Sequence, residues 1–391
     1  MKKVLIYKEE DLLKKTGGPS GYLYNLRKGL SEIGPTKDVQ IDFLPPRGVG
    51  KRSVASRAPK SLINLYRRLK HIKICLSLHK GKKVPPVDFS KYDIVHFHST
   101  FDLFWTRDAL KDFKGIVLLT SHSPQPLSQE FVDSSSKIEL FFFGQLYKKA
   151  IMCDEYAFRR ADYIIFPCEF SDEPYEHRWP DYSLIKQEKK QNYRFLLTGT
   201  APAEKKLSSN RVREMYGIPP GAFVICYVGR HNAIKGYDSF VELATRILNK
   251  HENSYVLVAG REGPISSPRN SRWIEAGWTE DPHSLIAASN VFVLPNRETF
   301  FDLVLLEVLS LGTPIVASNT GGNKFFINSS KNGIRLYNTL EEGASAIESI
   351  FHCTDEEIKA INNANTGLFE SLFTTRKFAE NYLTLIQNLK R

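Results

Sequence analysis

Between Phe43 and Val87 the chain has neither aspartate nor glutamate, yet it carries twelve Lys or Arg, from Arg47 to Lys83. Taking those twelve from the 54 basic residues leaves 42 against 43 acidic ones, so the formal charge of +11 belongs to one stretch rather than to the whole chain. Cysteine is sparse too. Cys75, Cys153, Cys168, Cys226 and Cys353 are scattered, odd in number and form no C-x-x-C pair, which argues against a zinc ribbon and against a disulfide framework. No run of 18 apolar residues occurs, and the opening "MKKVLIY" is too short for a signal-peptide core, so a cytoplasmic chain without a spanning helix is expected. With 42% hydrophobic and 12% aromatic residues the composition is globular, and 391 residues exceed one ordinary core, which suggests two domains.

Within the acid-free stretch, Leu62, Leu65, Tyr66, Leu69, Ile72 and Leu76 recur at helical spacing, with Arg67, Arg68, Lys70 and Lys73 largely between them. This pattern predicts a basic amphipathic helix. Two readings stay open: a packed helix with a solvated basic face, or a surface within residues 43–87 that meets anionic lipid headgroups or an anionic acceptor. Nucleic acid is not expected, because no aromatic-interleaved reading motif accompanies the charge.

Along the chain, strands and helices alternate. "KVLIY", "VQIDFL", "YDIVHFHS", "GIVLLTSHS" and "DYIIFPCE" read as strands, with a glycine-rich loop and helix in "TGGPSGYLYNLRKGLSEIG" and a further helix in "CDEYAFRRA". Such alternation predicts a doubly wound parallel sheet, whose ligands sit at the carboxyl ends of strands. Gly17, Gly18, His96, His98 and His122 fall at those ends. Residues from about Ser171 to Asn210 are polar, proline-punctuated and lysine-rich, and read as a loop and interdomain connection with one short strand, "YRFLLTG". A second alternating series follows, from "FVICYVGR" through "VFVLPN", a helix over about Asp302 to Leu311, and "PIVAS". The chain closes with an amphipathic helix in "TRKFAENYLTLIQNLKR".

Two places carry chemistry. In "YVGRHNAIKGYDSF" a buried strand ends at Gly229, Arg230 follows, and Lys235 precedes a helix; two cations beside a helix N-terminus suit a diphosphate. In "NRETFFDLVLLEVLSLGTPIVASNTGG" the helix is apolar nearly all round, so Glu307 in its second turn needs a partner, for which ribose hydroxyls would serve. The "NTGG" turn offers backbone N–H groups to a phosphate. Asp302 is placed to cap the helix. No cluster of metal ligands is evident.

Taken in order, "TGGPSGYLYNL", "YVGR…KG", "VLVAGREG", "VLPNRET" and "LLEVLSLGTPIVASNTGG" resemble the retaining nucleotide-sugar glycosyltransferases of family 4, glycosyltransferase group 1. The resemblance covers nearly the whole chain and is stronger in the second half. It implies an α/β GT-B fold, two doubly wound Rossmann-like domains with a cleft between them. Residues 1–195 would form the acceptor domain, 196–373 the nucleotide-sugar domain, and a helix over about 374–391 would pack back onto the first. It further implies that Arg230 and Lys235 hold the donor diphosphate, that Glu307 holds the ribose, and that the base lies near Gly277 and Trp278. Gly229, Gly321 and Gly322 would lie close to the donor, Gly18 would let a backbone N–H approach the diphosphate, and His122 would sit near the donor sugar.

One departure stands out. The family has two glutamates seven residues apart, but the position before Glu307 is Thr299, Glu298 lies one residue too far, and Asp302 replaces a usual glycine. Either a local bulge brings Glu298 to the donor sugar, or Asp302 and Thr299 make those contacts. The expected activity is metal-independent transfer of a hexose or N-acetylhexosamine, with retention, from a nucleotide-diphosphate sugar to a glycan or lipid-linked acceptor in bacterial surface polysaccharide synthesis. No cofactor is expected beyond that co-substrate. The expected place is the cytoplasm, with peripheral contact to the inner face of the membrane. A non-catalytic partner that keeps the fold is the alternative, and a GT-B enzyme of another type, such as a sugar-nucleotide epimerase, is a third.

Overall fold

The computed structural model describes residues 1–9, 18–45, 60–78, 87–123, 125–329 and 333–390. Gly17 and the basic positions of 46–59 and 79–86 lie outside the described residues.

Twelve short, apolar strands among the described residues make two parallel sheets. The first contains β1 (Lys2–Glu9), β2 (Val39–Leu44), β3 (Ile94–Phe97), β4 (Ile116–Leu119), β5 (Tyr163–Phe166) and β6 (Tyr193–Phe195), in the order β2-β1-β3-β4-β5-β6. The second contains β7 (Phe223–Val228), β8 (Ser254–Ala259), β9 (Trp273–Gly277), β10 (Val291–Leu294), β11 (Ile315–Ser318) and β12 (Ile334–Tyr337), in the order β12-β11-β10-β7-β8-β9. Helices cover both faces of each sheet, so β3, β4 and β10 are buried along their whole length and read as continuous apolar runs. In each sheet the order reverses beside the first strand, between β1 and β3 and between β7 and β10. Such switch points open a crevice at the carboxyl ends of the strands.

The chain crosses between the domains twice, and the crossings lie side by side: Thr200 N–H donates to the Phe373 carbonyl at 2.8 Å. After the second crossing, helix Thr375–Asn388 lies on helix Gly18–Ile33 of the first domain. Phe378, Ala379, Tyr382 and Ile386 recur on one face, are fully buried, and join the core of Val4, Ile6 and Leu26. Lys2 Nζ donates to the carbonyls of Ile386, Gln387 and Leu389 at 2.8–3.0 Å and satisfies that helix end.

Two sequence expectations are corrected. Residues 171–210 are not simply a loop: helices Glu173–Arg178 and Tyr182–Glu188 form there, and β6 ends at Phe195 rather than continuing to Gly199. Tyr175, Trp179, Tyr182 and Ile185 explain the helices, for they are fully buried or nearly so and pack on Phe158 and Phe166. The second correction concerns helix Lys60–Ser77. Its packed face is His71, Cys75 and, at the helix end, Leu78, with the exposed Arg68 reaching buried Glu139, while Leu62, Leu65, Tyr66, Leu69 and Leu76 are exposed and only Ile72 of the apolar stripe is half-buried. Among the described residues no helix is long and apolar enough to cross a membrane.

Candidate functional site

The second sheet's switch point gathers a polar cluster. Lys235 follows β7 and Asn296 follows β10; both reach Asp302, with Lys235 Nζ 2.6 Å and Asn296 Nδ2 2.5 Å from Oδ2. Burial opposes ionisation of Asp302, but Lys235, Asn296 and the nearby Arg230 outweigh it and hold the carboxyl below its usual range. Asp302 stands at the N-cap of helix Leu303–Leu311 but makes no side-chain cap bond, which corrects the capping expectation: the lysine holds the carboxylate instead.

Beside this cluster the ends of β7, β8 and β9 enclose a cavity of about 400 Å³ lined by Val228, Gly229, Arg230, Gly260, Trp278 and Pro282. Arg230 is exposed, and its carbonyl accepts from the Tyr227 hydroxyl at 2.9 Å. Trp278 is 62% exposed and stands at the rim, as a stacking platform for a base would. Next to Pro282, His283 Nε2 lies 3.2 Å from Glu307 Oε2, which answers the need of Glu307 for a partner. Burial there disfavours the imidazolium, yet the bond and charge of Glu307 prevail and raise the His283 pKa.

Thr299, Gly321 and Gly322 come together for a packing reason. A Cβ on Gly321 would lie 1.9 Å from the Thr299 carbonyl oxygen, and one on Gly322 would lie 1.8 Å from that of Phe300. Thr299 is buried, and its carbonyl accepts from Gly322 N–H at 3.2 Å. The Gly321 N–H expected to face a phosphate donates to Glu173 Oε2 at 3.3 Å, and Lys324 Nζ lies 2.5 Å from the same oxygen. Glu298 is likewise engaged from the first domain, by Arg178 Nε at 2.9 Å. Phe300, between them, stacks on Phe166 at 5.4 Å and meets Tyr175 edge-on at 5.7 Å, so a loop of the second domain is seated in the aromatic core of the first.

Across the cleft, Gly18 is exposed at the start of helix Gly18–Ile33, and a Cβ there would meet nothing within 4 Å. One turn on, Tyr22 lies edge-on to His122 at 4.7 Å. His122 Nε2 is 3.0 Å from His98 Nδ1. His96 is buried behind them, between Tyr382 Oη at 3.0 Å and Thr120 Oγ1 at 2.8 Å. Burial pulls His96 and His122 down to about 3, so both are neutral rings at pH 7.

Residues 222–352 match the family model described as Glycosyl transferases group 1. The second domain is a group 1 glycosyl transferase domain. Curated relatives include a UDP-Gal:alpha-D-GlcNAc-diphosphoundecaprenol alpha-1,3-galactosyltransferase of Escherichia coli, 27% identical over 42% of this chain and 44% of that protein. A D-inositol 3-phosphate glycosyltransferase of Paenarthrobacter aurescens is 31% identical over 36% of this chain and 38% of that protein. The chain thus spans less than half the length of the curated relatives it matches. Solved structures extend over the whole chain. Sucrose-phosphate synthase from Thermosynechococcus elongatus has a TM-score of 0.62 at 16% identity, covering 99% of this chain and 98% of the other. Anabaena HepE in complex with UDP-glucose has a TM-score of 0.60 at 14% identity, covering 99% and 100%. The two-domain fold is GT-B.

Within this glycosyl transferase domain the switch point places Lys235, Asn296 and Asp302 in contact and Arg230 within electrostatic reach of them, while Gly229, Arg230 and Trp278 share the cavity. Glu307 touches that cavity's edge through His283. Gly321, Gly322, Thr299 and Glu298 form a separate group that faces the first domain. Asn296, His283, Glu173, Arg178 and Lys324 escaped the sequence reading. For Asn296 the signal is its place at the end of a buried strand; for Glu173 and Arg178 it is the aromatic stripe that makes their segment helical. An anion at the Arg230–Lys235 end would meet fixed cations in a partly dry crevice, where charge stabilisation is strongest.

Proposed function

We propose that the protein is a retaining glycosyltransferase that moves a hexose or N-acetylhexosamine from a nucleotide-diphosphate sugar to a hydroxyl of a glycan or lipid-linked oligosaccharide, in bacterial surface polysaccharide synthesis. The observation that carries this reading is the Lys235–Asp302–Asn296 cluster at the β7/β10 switch point, beside a cavity that holds Arg230 and Trp278. The nucleotide base would stack at Trp278, Glu307 would take the ribose, and Arg230 and Lys235 would meet the diphosphate. These two cations stabilise charge on the leaving oxygens, and the departing diphosphate accepts the acceptor's proton on the same face. Charge stabilisation of this kind requires no metal. His122, a neutral ring, would face the donor sugar. The relatives' names, a galactosyltransferase to a diphosphoundecaprenol-linked sugar among them, favour a lipid-linked acceptor. The enzyme would work in the cytoplasm, with its basic stretch against the anionic inner face of the membrane.

Thermal-shift measurements across a panel of nucleoside diphosphates and their sugars test the reading. Stabilisation by one nucleoside diphosphate, and loss of that shift in Trp278→Ala, is expected; no shift with any member would overturn it. A second reading, a non-catalytic GT-B partner of another transferase, is favoured by two contacts: Arg178 on Glu298 and Glu173 on the Gly321 N–H. Product formation with the stabilising donor separates the two.

A further inference from the structure

Two neighbouring helices of the first domain turn large apolar side chains to solvent. Helix Lys137–Lys148 packs its inner face, with Leu140, Phe143, Leu146 and Tyr147, against Phe131, Ile72 and Cys75. Its outer face exposes Ile138 by 75%, Phe141 by 84% and Phe142 by 71%. Helix Lys60–Ser77 is tied to it by Arg68 Nε on Glu139 Oε2 at 2.9 Å and by His71 stacked on Phe131 at 4.3 Å. On that helix Leu62, Leu65, Tyr66 and Leu69 are exposed as well. None of these side chains belongs to the core or to the cleft. Isolated exposed leucines are ordinary, but eight large apolar side chains on two adjoining helices, Leu76 included, are not.

The charge around them narrows the occupant. Lys70, Lys73, Lys137, Lys148 and Lys149 are exposed on the same two helices and the turn after them. The one carboxylate of helix Lys137–Lys148, Glu139, is buried, accepting from the Tyr147 hydroxyl at 2.6 Å and paired with Arg68. A self-associating face with this much positive charge would repel its own copy. An anionic, apolar surface suits both features: acyl chains for the rings and headgroups for the lysines.

We infer that the outer face of helix Lys137–Lys148, with the exposed stripe of helix Lys60–Ser77, dips into the boundary between headgroups and acyl chains of an anionic bilayer, Phe141 and Phe142 being the inserted pair. This builds on the electrostatic membrane contact proposed above and adds an apolar component that salt does not screen.

Sedimentation with vesicles of phosphatidylglycerol and phosphatidylcholine, at low and high salt, tests it. Wild type is expected to bind at low salt and to keep a fraction bound at high salt. The double variant Phe141→Ser/Phe142→Ser should lose that salt-resistant fraction, its partition falling roughly tenfold or more. In a single Phe141→Trp variant, indole emission should shift to the blue on adding these vesicles relative to wild type under the same conditions. Unchanged melting temperature of the double variant would show that its fold is intact, which the exposure of both rings leads one to expect. Equal binding of wild type and the double variant would overturn the inference, as would an emission that does not move. So would a dimer in analytical ultracentrifugation that Phe141→Ser/Phe142→Ser dissolves, since the face would then cover a second copy. If Lys70→Gln/Lys73→Gln binds like wild type while the phenylalanine variant does not, the electrostatic reading fails and the insertion stands.

Discussion

Arg178 and Glu298 meet across the cleft, with the guanidinium Nε 2.9 Å from one carboxylate oxygen and 3.1 Å from the other. Arg178 also reaches Asp133 at 3.2 Å. Removing the arginine leaves Glu298, only 15% exposed, without its cation. Arg178→Ala should therefore cost about 1–3 kcal/mol of stability. A cycle with Glu298→Gln should return a coupling of about 0.5–3 kcal/mol in urea unfolding. Zero coupling would mean that the two domains do not lean on this pair.

Lys235→Ala and Arg230→Ala should each lower turnover by about 100–1,000-fold, since each would remove a cation proposed to face the leaving diphosphate. Lys235 has a second role, because Asp302 depends on it. Lys235→Ala should thus also lower stability, and Lys235→Met/Asp302→Asn should recover the stability but not the activity. Near-normal transfer by Lys235→Ala would remove the assignment.

Glu173 occupies the Gly321 N–H and Lys324. If a donor anion is to use either group, it must displace that carboxylate. Glu173→Ala should then tighten binding of the nucleoside diphosphate that stabilises wild type by roughly three- to tenfold in calorimetry. Weaker binding would mean that Glu173 supports the site rather than competing for it.

The His283–Glu307 pair sets a pH dependence. Its folded-state pKa lies above the unfolded value, so the stability it adds is complete below about pH 6.5 and is lost as pH rises through the raised pKa. Wild type should therefore lose on the order of 1 kcal/mol relative to His283→Gln between pH 5.5 and pH 9. Parallel stability curves for the two proteins would contradict this.

If Arg230 and Lys235 supply the positive charge at the diphosphate, as proposed, EDTA should leave transfer largely unchanged. Complete loss, restored by Mn²⁺, would show that a divalent ion does what the two side chains are proposed to do.

The sheets were legible because their strands are short, apolar and separated by helices of ordinary period. So was the crevice, since strand ends in such sheets mark it. The contacts that seat Phe300, Glu298 and Gly321 against the first domain were not. Arg178 and Glu298 are 120 residues apart, and no local pattern links them. The polar letters around Pro174 and Pro180 hid the helices carrying Glu173 and Arg178, although Tyr175, Trp179, Tyr182 and Ile185 already had the spacing of a buried face. In helix Lys60–Ser77 the period was right, but a stripe does not say what faces it. The helix is anchored through Arg68 and His71, whose partners Glu139 and Phe131 lie far along the chain.

The return of helix Thr375–Asn388 to the first domain has a consequence during synthesis. The nascent first domain has all six of its strands once Phe195 is made, but one face of its sheet, covered by Tyr22, Leu23 and Leu26, lacks the rest of its cover until Phe378, Tyr382 and Ile386 emerge. At about 5–20 residues per second, that wait lasts on the order of ten seconds or more. The second domain, whose strands span Phe223–Tyr337, has its own layers in place before then. The half of the molecule made first is therefore completed only after the second, and Val4 and Ile6 lack part of their cover until helix Thr375–Asn388 has followed.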